Sequence, residues 1–272
     1  MDCIDALILG IVQGLAEYLP ISSSGHLEIC REILGLRLSG ADALEFDVAL
    51  HVATVLSTIV VLWKEFVPLC TSFFTFRRDS DFYYVCKILV SCIPVAVVGL
   101  CFKDFVESFF GGGLTVVGIC LLVTACLLAF AYYFRNPARE KLAHEHGHDI
   151  TWRDAFIIGC AQAVAVLPGL SRSGTTIATG LLLGDKRSQM AQFSFFMVII
   201  PILGEALLGV KDIIGGEDLG PSVGTLPLCI GFIASFIIGC IACKWMIEIV
   251  KKGKLIWFSL YCVAAGILCL AW

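Results

Sequence analysis

The sequence predicts an all-α polytopic membrane protein, with six transmembrane helices and two re-entrant helical hairpins arranged as an inverted-topology repeat. Three observations lead to this prediction: an apolar composition, six long apolar segments, and a polar motif that occurs twice. Of the 272 residues, 58% are hydrophobic and 15% are charged, and the mean hydropathy is +0.92. Because soluble domains are about 45–50% apolar, this composition excludes a soluble globular protein.

Six apolar segments approach the ~20 residues that a helix needs to cross a bilayer. They cover residues 46–63, 83–102, 114–134, 193–210, 226–246 and 255–272. The 14 cysteines lie mostly singly within apolar segments. We therefore interpret them as small apolar side chains and not as disulfide partners or metal ligands. We expect membrane lipid to surround this chain and no nucleic acid to bind it.

The first polar segment, residues 10–35, reads GIVQGLAEYLPISSSGHLEICREILG. It combines apolar residues with the polar residues Gln13, Glu17, Ser22, Ser23, Ser24 and His26. A charged side chain at membrane depth costs about 3 kcal/mol or more and usually marks a functional site. Pro20 and Gly25 interrupt the helix at this point. The segment is therefore predicted to enter the bilayer and return on the same side.

The second polar segment, residues 159–184, repeats the first at an offset of 149 residues. The offset superposes Gly10 on Gly159, Gln13 on Gln162, Ser22 on Ser171, Ser24 on Ser173, Gly25 on Gly174 and Gly35 on Gly184. A single membrane domain, 1–272, then contains two repeats, 1–134 and 154–272, each with one hairpin and three spans. Since three is odd, the repeats enter the membrane in opposite directions, and their hairpins are predicted to meet near the midplane.

Basic residues predict the orientation, because they are enriched in cytoplasmic loops. One side would carry Lys64, Arg77, Arg78, Arg135, Arg139, Lys141, Arg153, Lys186, Arg187, Lys251, Lys252 and Lys254. The other side would carry only Arg31, Arg37, Lys103 and Lys211. The first set is therefore assigned to the cytoplasm. The first hairpin and the C-terminus then belong to the outer face, where we expect the active site to open.

The two hairpins differ in the residues that carry charge. Glu17 and His26 of the first hairpin correspond to Val166 and Thr175, whereas Arg172 of the second corresponds to Ser23. An arginine inside the membrane requires an anion, and its guanidinium matches phosphate oxygens. Hydroxyl groups and the first N–H groups of the next helix would add donors. The hydroxyl residues concerned are Ser171, Ser173, Thr175 and Thr176.

A structural interpretation competes with this one. Arg172 and Glu17 could form a buried ion pair in which each only neutralises the other. The serines would then be small residues that let helices approach closely. This interpretation does not explain why serine, glycine and proline cluster in both hairpins, together with His26 in the first. The clustering favours a phosphate site.

Other polar residues receive weaker interpretations. Asp47 and His51 lie one helical turn apart, where they either line the pocket or face an interface. His144, His146 and His148 alternate in a hydrophilic segment, a pattern that does not suit one helix face. We interpret that segment as a solvated loop, with a metal site as the minor alternative.

The motifs resemble those of the undecaprenyl-diphosphate phosphatases of the bacitracin-resistance type. That family carries an (E/Q)xxxE motif, matched here by Gln13 and Glu17 and followed by Pro20, Ser22, Ser23, Gly25 and His26. It also carries a PGxSRSxxT motif, matched by residues 168–176. Length and hydropathy agree over essentially the whole chain. The architecture that the resemblance implies, six spans and two re-entrant hairpins, agrees with the spacing.

The resemblance implies hydrolysis of a polyprenyl diphosphate to the monophosphate, which recycles the carrier lipid of bacterial wall synthesis. It places the chain in the bacterial inner membrane, where the charge distribution predicts a site that opens to the periplasm. It implies a divalent cation, Mg²⁺ or alternatively Ca²⁺, with Glu17 as ligand. Glu17, Ser23, His26 and Arg172 would be catalytic, and Gln13, Ser22, Ser171, Ser173 and Thr176 would bind substrate. Because Gln13 is uncharged, it would hold a metal less tightly than glutamate. A homodimer is one option for the assembly.

Three nucleophiles are open at this stage. Ser23 ranks first, activated by His26 or by Glu17, because a hydroxyl beside a base is the usual arrangement for covalent transfer. Direct attack by His26 ranks second and a metal-bound water third. In each case Arg172 would stabilise the charge on the transferred phosphoryl group.

A different class of function also fits the fold. Secondary transporters are built from inverted repeats with broken helices, so a transporter or flippase for a lipid phosphate or other anion is the alternative. Such a protein needs an anion site, but it does not need a nucleophile beside a base.

Overall fold

The computed structural model describes residues 1–36, 40–102, 112–135, 147–214 and 223–272. Within these ranges the regular structure is helical, apart from one isolated bridge between His148 and Asp185. The helices are α1 (Cys3–Ala16), α2 (Ser23–Leu34), α3 (Gly40–Val61), α4 (Trp63–Phe74), α5 (Ser80–Cys101), α6 (Gly113–Phe134), α7 (Trp152–Val164), α8 (Arg172–Leu183), α9 (Arg187–Ile214), α10 (Thr225–Lys251) and α11 (Ile256–Ala271). An all-helical architecture is therefore confirmed.

Four described helices are long and apolar enough to cross a membrane: α5, α6, α9 and α10. A fifth span is counted if α3 and α4 are taken together, although they bend by 91° at Leu62. The chain is therefore a multi-pass membrane protein. The helix at residues 256–271 has 16 residues, or about 24 Å at the usual rise, which is short of the ~30 Å hydrocarbon core.

The two hairpins have matching helix bounds. Under the 149-residue offset, α1 and α7 begin at equivalent positions and end within one residue of each other, and α2 and α8 begin and end at equivalent positions. Their caps match as well. Asp2 and Thr151 each form a capping box with the aspartate three residues on, which satisfies two N–H groups of the first turn. Gly35 and Gly184 both end their helices in the left-handed conformation.

Helices of the two halves pack against each other in an exchanged pattern. Helix α1 packs on α10 of the second half, and α7 packs on α5 of the first half. Small residues allow both contacts. A Cβ on Gly14 would lie 2.7 Å from the Ser235 carbonyl oxygen, and one on Gly159 would overlap the Ser91 carbonyl. Each hairpin is thus supported by the opposite repeat.

Two details differ from the sequence prediction. The predicted span 46–63 belongs to a longer helix that begins at Gly40. The chain then turns sharply at Leu62, where the charged pair Lys64 and Glu65 ends the apolar segment. Several residues used in the orientation and metal arguments, namely Arg37, Lys103, Arg139, Lys141, His144 and His146, lie outside the described ranges.

Candidate active site

The tips of the two hairpins contact each other. The first tip joins α1 to α2 through Glu17–Ser22, and the second joins α7 to α8 through residues 165–171. The Ser173 hydroxyl donates to the Leu19 carbonyl over 3.3 Å. A Cβ on Gly25 would lie 3.0 Å from the Gly169 Cα. This contact brings residues about 150 positions apart into one polar site.

Glu17 occupies the centre of this site. Its side chain is 7% exposed. One carboxylate oxygen, Oε2, accepts hydrogen bonds from Gln13 Nε2 and from Ser23 Oγ, both over 2.8 Å. Both bonds are charge-assisted, and such bonds are roughly twice as strong as neutral ones. The Ser23 hydroxyl is therefore paired with a carboxylate that can accept its proton.

Arg172 faces the other carboxylate oxygen. Its Nη2 atom lies 3.8 Å from Glu17 Oε1, which is an ion-pair distance but too long for a hydrogen bond. The guanidinium makes no hydrogen bond to any residue that the structure describes, and the side chain is 23% exposed. Its N–H groups are consequently available to an anion. This looser geometry argues against an ion pair that serves only to neutralise Glu17.

Two helices begin at the site. Ser22 and Ser171 are the N-caps of α2 and α8, and their hydroxyls accept from the N–H groups of Gly25 and Gly174. Ser22 has φ +72°, a strained conformation for a residue with a side chain. The first N–H groups of each helix carry partial positive charge, which favours a bound phosphate.

The remaining hydroxyl residues lie close by. Ser173 is buried, with its Oγ 3.4 Å from Ser171 Oγ. Thr176 is bonded to Ser194 of α9 over 2.6 Å. Glu17, Arg172, Ser173, Thr176, Ser194 and Gln162 share one pocket with several apolar residues. All but Ser194 and Gln162 were predicted as site residues.

The hydrogen bonds of His26 go to residues other than Ser23. Its Nδ1 lies 2.8 Å from the Ser22 carbonyl oxygen, to which it donates. Its Nε2 then accepts from the Tyr261 hydroxyl over 2.7 Å, and the two rings stack with centroids 5.5 Å apart. Of the two bases considered for Ser23, the structure therefore pairs the hydroxyl with Glu17.

Sequence reasoning missed Tyr261 as a site residue and left His51 undecided. Tyr261 lies in α11, an apolar helix whose sequence contains no signal for the site. The His51 ring lies with Nε2 3.5 Å from Glu17 Oε2, and this buried nitrogen has no hydrogen-bond partner among the described residues. The spacing of Asp47 and His51 was the only hint. Asp47 is instead paired with Arg31.

The oxygen atoms around Glu17 suit a hard divalent cation. Gln13 is fully buried, and its Oε1 atom has no partner among the described residues, although its Nε2 is used. An amide oxygen, a carboxylate and a hydroxyl are ligand types that Mg²⁺ and Ca²⁺ accept. Gln13, Glu17 and Ser23 thus fit the ion that the resemblance implies.

Fold and site together define a multi-pass membrane protein with a polar site where the tips of two helical hairpins meet. A family model described as bacitracin resistance protein BacA matches residues 6–268. The chain belongs to this family, which confirms the resemblance seen in the sequence.

Several relatives cover almost all of the chain. The protein named undecaprenyl-diphosphatase of Parabacteroides distasonis is 55% identical over 271 residues, which are 100% of this chain and 98% of the relative. The protein of the same name from Bacteroides thetaiotaomicron is 53% identical over 267 residues, covering 98% and 97%. A more distant relative, undecaprenyl-diphosphatase 2 of Bacillus thuringiensis, is 38% identical over 272 residues, covering 97% and 95%.

Proposed function

We propose that this chain hydrolyses undecaprenyl diphosphate to undecaprenyl phosphate and inorganic phosphate, and so recycles the carrier lipid of the bacterial cell wall. The observation that carries the proposal is the arrangement of Arg172 opposite the Glu17–Ser23 pair. A guanidinium with unused donors lies beside the carboxylate to which the Ser23 hydroxyl is already bonded. Family membership and the relatives' names support the same reaction.

Ser23 is the nucleophile in this proposal and Glu17 is its base. The Ser23 oxygen attacks the terminal phosphorus, its proton passes to Glu17 Oε2, and the bond from that phosphorus to the bridging oxygen breaks. The lipid monophosphate leaves. A water then attacks the phosphorylated serine, which restores Ser23 and releases inorganic phosphate. His26 is less suited to direct attack because both ring nitrogens are hydrogen-bonded.

Arg172 and the helix N-termini stabilise the charge of the transferred group. The terminal phosphoryl oxygens carry the charge in the transition state, and preorganised donors aimed at them lower the barrier. Arg172 offers a planar fork of N–H groups. Ser171, Ser173 and Thr176 position the diphosphate with hydroxyl groups, and Ser22 supports the start of α2.

A divalent cation, Mg²⁺ or alternatively Ca²⁺, is held by Glu17 with Gln13 in this proposal. When bound, it neutralises charge on the diphosphate. The unpartnered Gln13 Oε1 supports this assignment, since a buried amide oxygen without a partner is costly. The neutral amide contributes less to metal affinity than a second carboxylate would.

In the proposed topology, six spans and two re-entrant hairpins form an inverted repeat in the inner membrane, with the site open to the periplasm. The matching helix bounds of the hairpins and the exchanged packing of α1 and α7 support it. Arg187 bonds the Arg135 carbonyl, so two predicted cytoplasmic loops share one end of the bundle. The homodimer stays a prediction, which the mass of the purified protein in detergent tests.

Phosphate release from undecaprenyl diphosphate by the purified protein in detergent tests the function. We expect release by the wild type in Mg²⁺, loss in EDTA, and a decrease of at least about a hundredfold in Arg172→Ala and Glu17→Ala. Arg172→Lys keeps the positive charge beside Glu17. A loss of activity in this variant would therefore report the contribution of the planar guanidinium and not misfolding. Arg153→Ala removes an exposed arginine and is the matched control.

The alternative, a transporter or flippase, predicts a different result. A well-folded wild type that releases no phosphate with any metal or prenyl chain length would contradict the phosphatase. Movement of a labelled lipid phosphate across vesicle membranes would then favour transport. The relatives' names do not favour this alternative.

A further inference from the structure

A second group of ligand-type side chains lies at the base of the second hairpin, outside the site described above. His148 precedes α7, Asp154 lies in the first turn of α7, and Asp185 follows α8. Two backbone hydrogen bonds hold these segments together. The His148 N–H donates to the Gly184 carbonyl, and the Lys186 N–H donates to the His148 carbonyl, both over 3.0 Å. The chain thus joins the two ends of the hairpin at this point.

The three side chains have the separations of ligands on one ion. His148 Nδ1 lies 3.4 Å from Asp185 Oδ1 and 3.8 Å from Asp154 Oδ2. One ligand atom from each residue lies within 4.8 Å of the other two. Imidazole and carboxylate ligands bind Zn²⁺ at about 2.0–2.2 Å, so two ligands of one ion lie up to about 4.4 Å apart. Small side-chain movements would suffice to close the site.

Asp185 provides an independent reason to expect a cation. The residue is 0% exposed, and neither of its carboxylate oxygens accepts a hydrogen bond from any residue that the structure describes. A buried carboxylate without hydrogen bonds is costly unless a positive charge compensates it. Its Oδ1 atom lies beside His148, and one of its oxygens lies within 4.8 Å of an oxygen of Asp154.

The hydrogen bonds of His148 Nε2 and of Asp154 match those of a metal site. His148 Nε2 lies 3.2 Å from the Leu183 carbonyl oxygen. A metal-bound histidine typically donates its second ring N–H to such a group and binds the ion through the other nitrogen. Nδ1 lies 3.1 Å from the Asp149 carbonyl oxygen, a contact that an ion bound at Nδ1 would replace. Asp154 Oδ2 is oriented by the Thr151 N–H and hydroxyl, at 2.9 and 2.5 Å. His148 is half-exposed and gives an ion a path from solvent.

Positive charge could instead come from a proton. The hydrogen bond to the Asp149 carbonyl raises the pKa of His148, and burial raises the pKa of Asp185 to about 7. Arg135 and Lys87 also act on Asp185 and lower its pKa, but burial and the Asp154 charge outweigh them. Protonation and metal binding make opposite predictions for metal content, so an experiment separates them.

We propose that His148, Asp154 and Asp185 bind one divalent transition-metal cation of the Zn²⁺ or Mn²⁺ type. The ion would tie the segment before α7, the start of α7 and the end of α8 together. The hairpin held in this way carries Arg172 at its tip. This site is separate from the proposed cation site at Glu17. It also differs from a site formed by His144, His146 and His148, because its other two ligands are Asp154 and Asp185.

Metal binding by the intact purified protein tests the proposal without reference to its activity. Mn²⁺ is the probe, because imidazole and carboxylate ligands accept it while the thiols of the 14 cysteines favour softer ions. After removal of metals with EDTA, free Mn²⁺ is followed by electron paramagnetic resonance during titration. We expect Asp185→Asn and His148→Ala to bind one Mn²⁺ fewer, or to bind it at least about tenfold more weakly, than the wild type. Mn²⁺ and Zn²⁺ should raise the unfolding temperature of the wild type more than those of the variants.

Three control variants sharpen the result. Asp149→Asn removes the neighbouring carboxylate, which pairs with Lys186 instead, and should bind like the wild type. Glu17→Gln and the double variant His144→Ala, His146→Ala should also retain this ion. If Mn²⁺ and Zn²⁺ bind equally well to the wild type, to Asp185→Asn and to His148→Ala, or do not bind to the wild type, the proposal is overturned. That result would favour the protonated cluster. Since His148 is half-exposed, its variant should fold even if Asp185→Asn does not.

Discussion

At the scale of single residues, Glu17 connects most of the groups in the proposed active site. Its two oxygens face Gln13, Ser23, His51 and Arg172 within 3.8 Å. In the proposed reaction this carboxylate orients a hydroxyl, accepts a proton and shares a cation, all in a buried position. We expect the largest losses of activity from substitutions that remove a contact of Glu17 which water cannot replace.

Ser23→Ala separates the nucleophile from a merely polar lining residue. If Ser23 forms the covalent intermediate, its loss should lower kcat by at least about a thousandfold. Substrate labelled at the terminal phosphate should leave label on the acid-quenched wild type and none on Ser23→Ala. Ser91→Ala, which removes a buried hydroxyl bonded to its own helix, is the control and should retain the label. Full activity in Ser23→Ala would exclude Ser23 and leave His26 or a water as the nucleophile.

Tyr261→Phe tests whether the bond to His26 matters. The substitution keeps the stacked ring but removes a hydrogen bond worth about 1 kcal/mol, so we expect roughly a fivefold lower kcat/KM. The pH profile of kcat/KM should shift as well, because the imidazole loses a donor. Tyr133→Phe, at an exposed ring, should change neither quantity. An unchanged profile in Tyr261→Phe would show that this hydrogen bond does not affect the reaction.

At the scale of elements, the site depends on where helices stop. Helices α1 and α7 end just before their tips, and α2 and α8 begin just after them with serine caps. The interruption exposes N–H groups that an uninterrupted helix would bond internally. The second tip also packs closely on α6, where a side chain would obstruct the contact, most clearly at Gly169.

Gly169→Ala should therefore disrupt the second tip. Gly169 has φ +86°, and a Cβ there would lie 2.7 Å from the Val117 Cα. The left-handed conformation alone costs about 1–2 kcal/mol for alanine, and the backbone contact adds to it. We expect a lower unfolding temperature and at least about a tenfold loss of phosphate release, since Arg172 moves with the tip.

Gly204→Ala is the matched control for this prediction. A Cβ at Gly204 meets no atom within 4 Å, and alanine favours the helix by about 0.5–1 kcal/mol. This variant should be as stable as the wild type or more so. Equal behaviour of the two alanine variants would show that the tip tolerates a side chain.

At the scale of the whole molecule, the two halves support each other's hairpin. The first helix of each hairpin packs on a long helix of the other half, so each hairpin is held in place by the opposite half. The proposed active site combines Glu17 and Ser23 of one half with Arg172 of the other. The proposed metal cluster lies near Arg135 and Lys186, at the end assigned to the cytoplasm.

Labelling of introduced cysteines tests the orientation of the molecule. In a background without native cysteines, Ser39→Cys should react with an impermeant thiol reagent in intact cells, because that loop is predicted on the outer side. Arg78→Cys should react only after permeabilisation, since its loop belongs to the basic, cytoplasmic side. The reverse pattern would invert the topology and place the opening of the active site in the cytoplasm.

The sequence by itself determined the class of protein, and it predicted most of the residues of the proposed site. Hydropathy, helix interruption and motif repetition are local properties, so the membrane class, the hairpins, and Glu17, Ser23 and Arg172 could be identified from short segments. Only the tertiary structure decided which groups touch. It paired Ser23 with Glu17, joined Tyr261 to His26 across 235 positions, and assembled His148 with Asp185. These contacts depend on how distant helices pack, and no local pattern in the chain encodes the resulting distances.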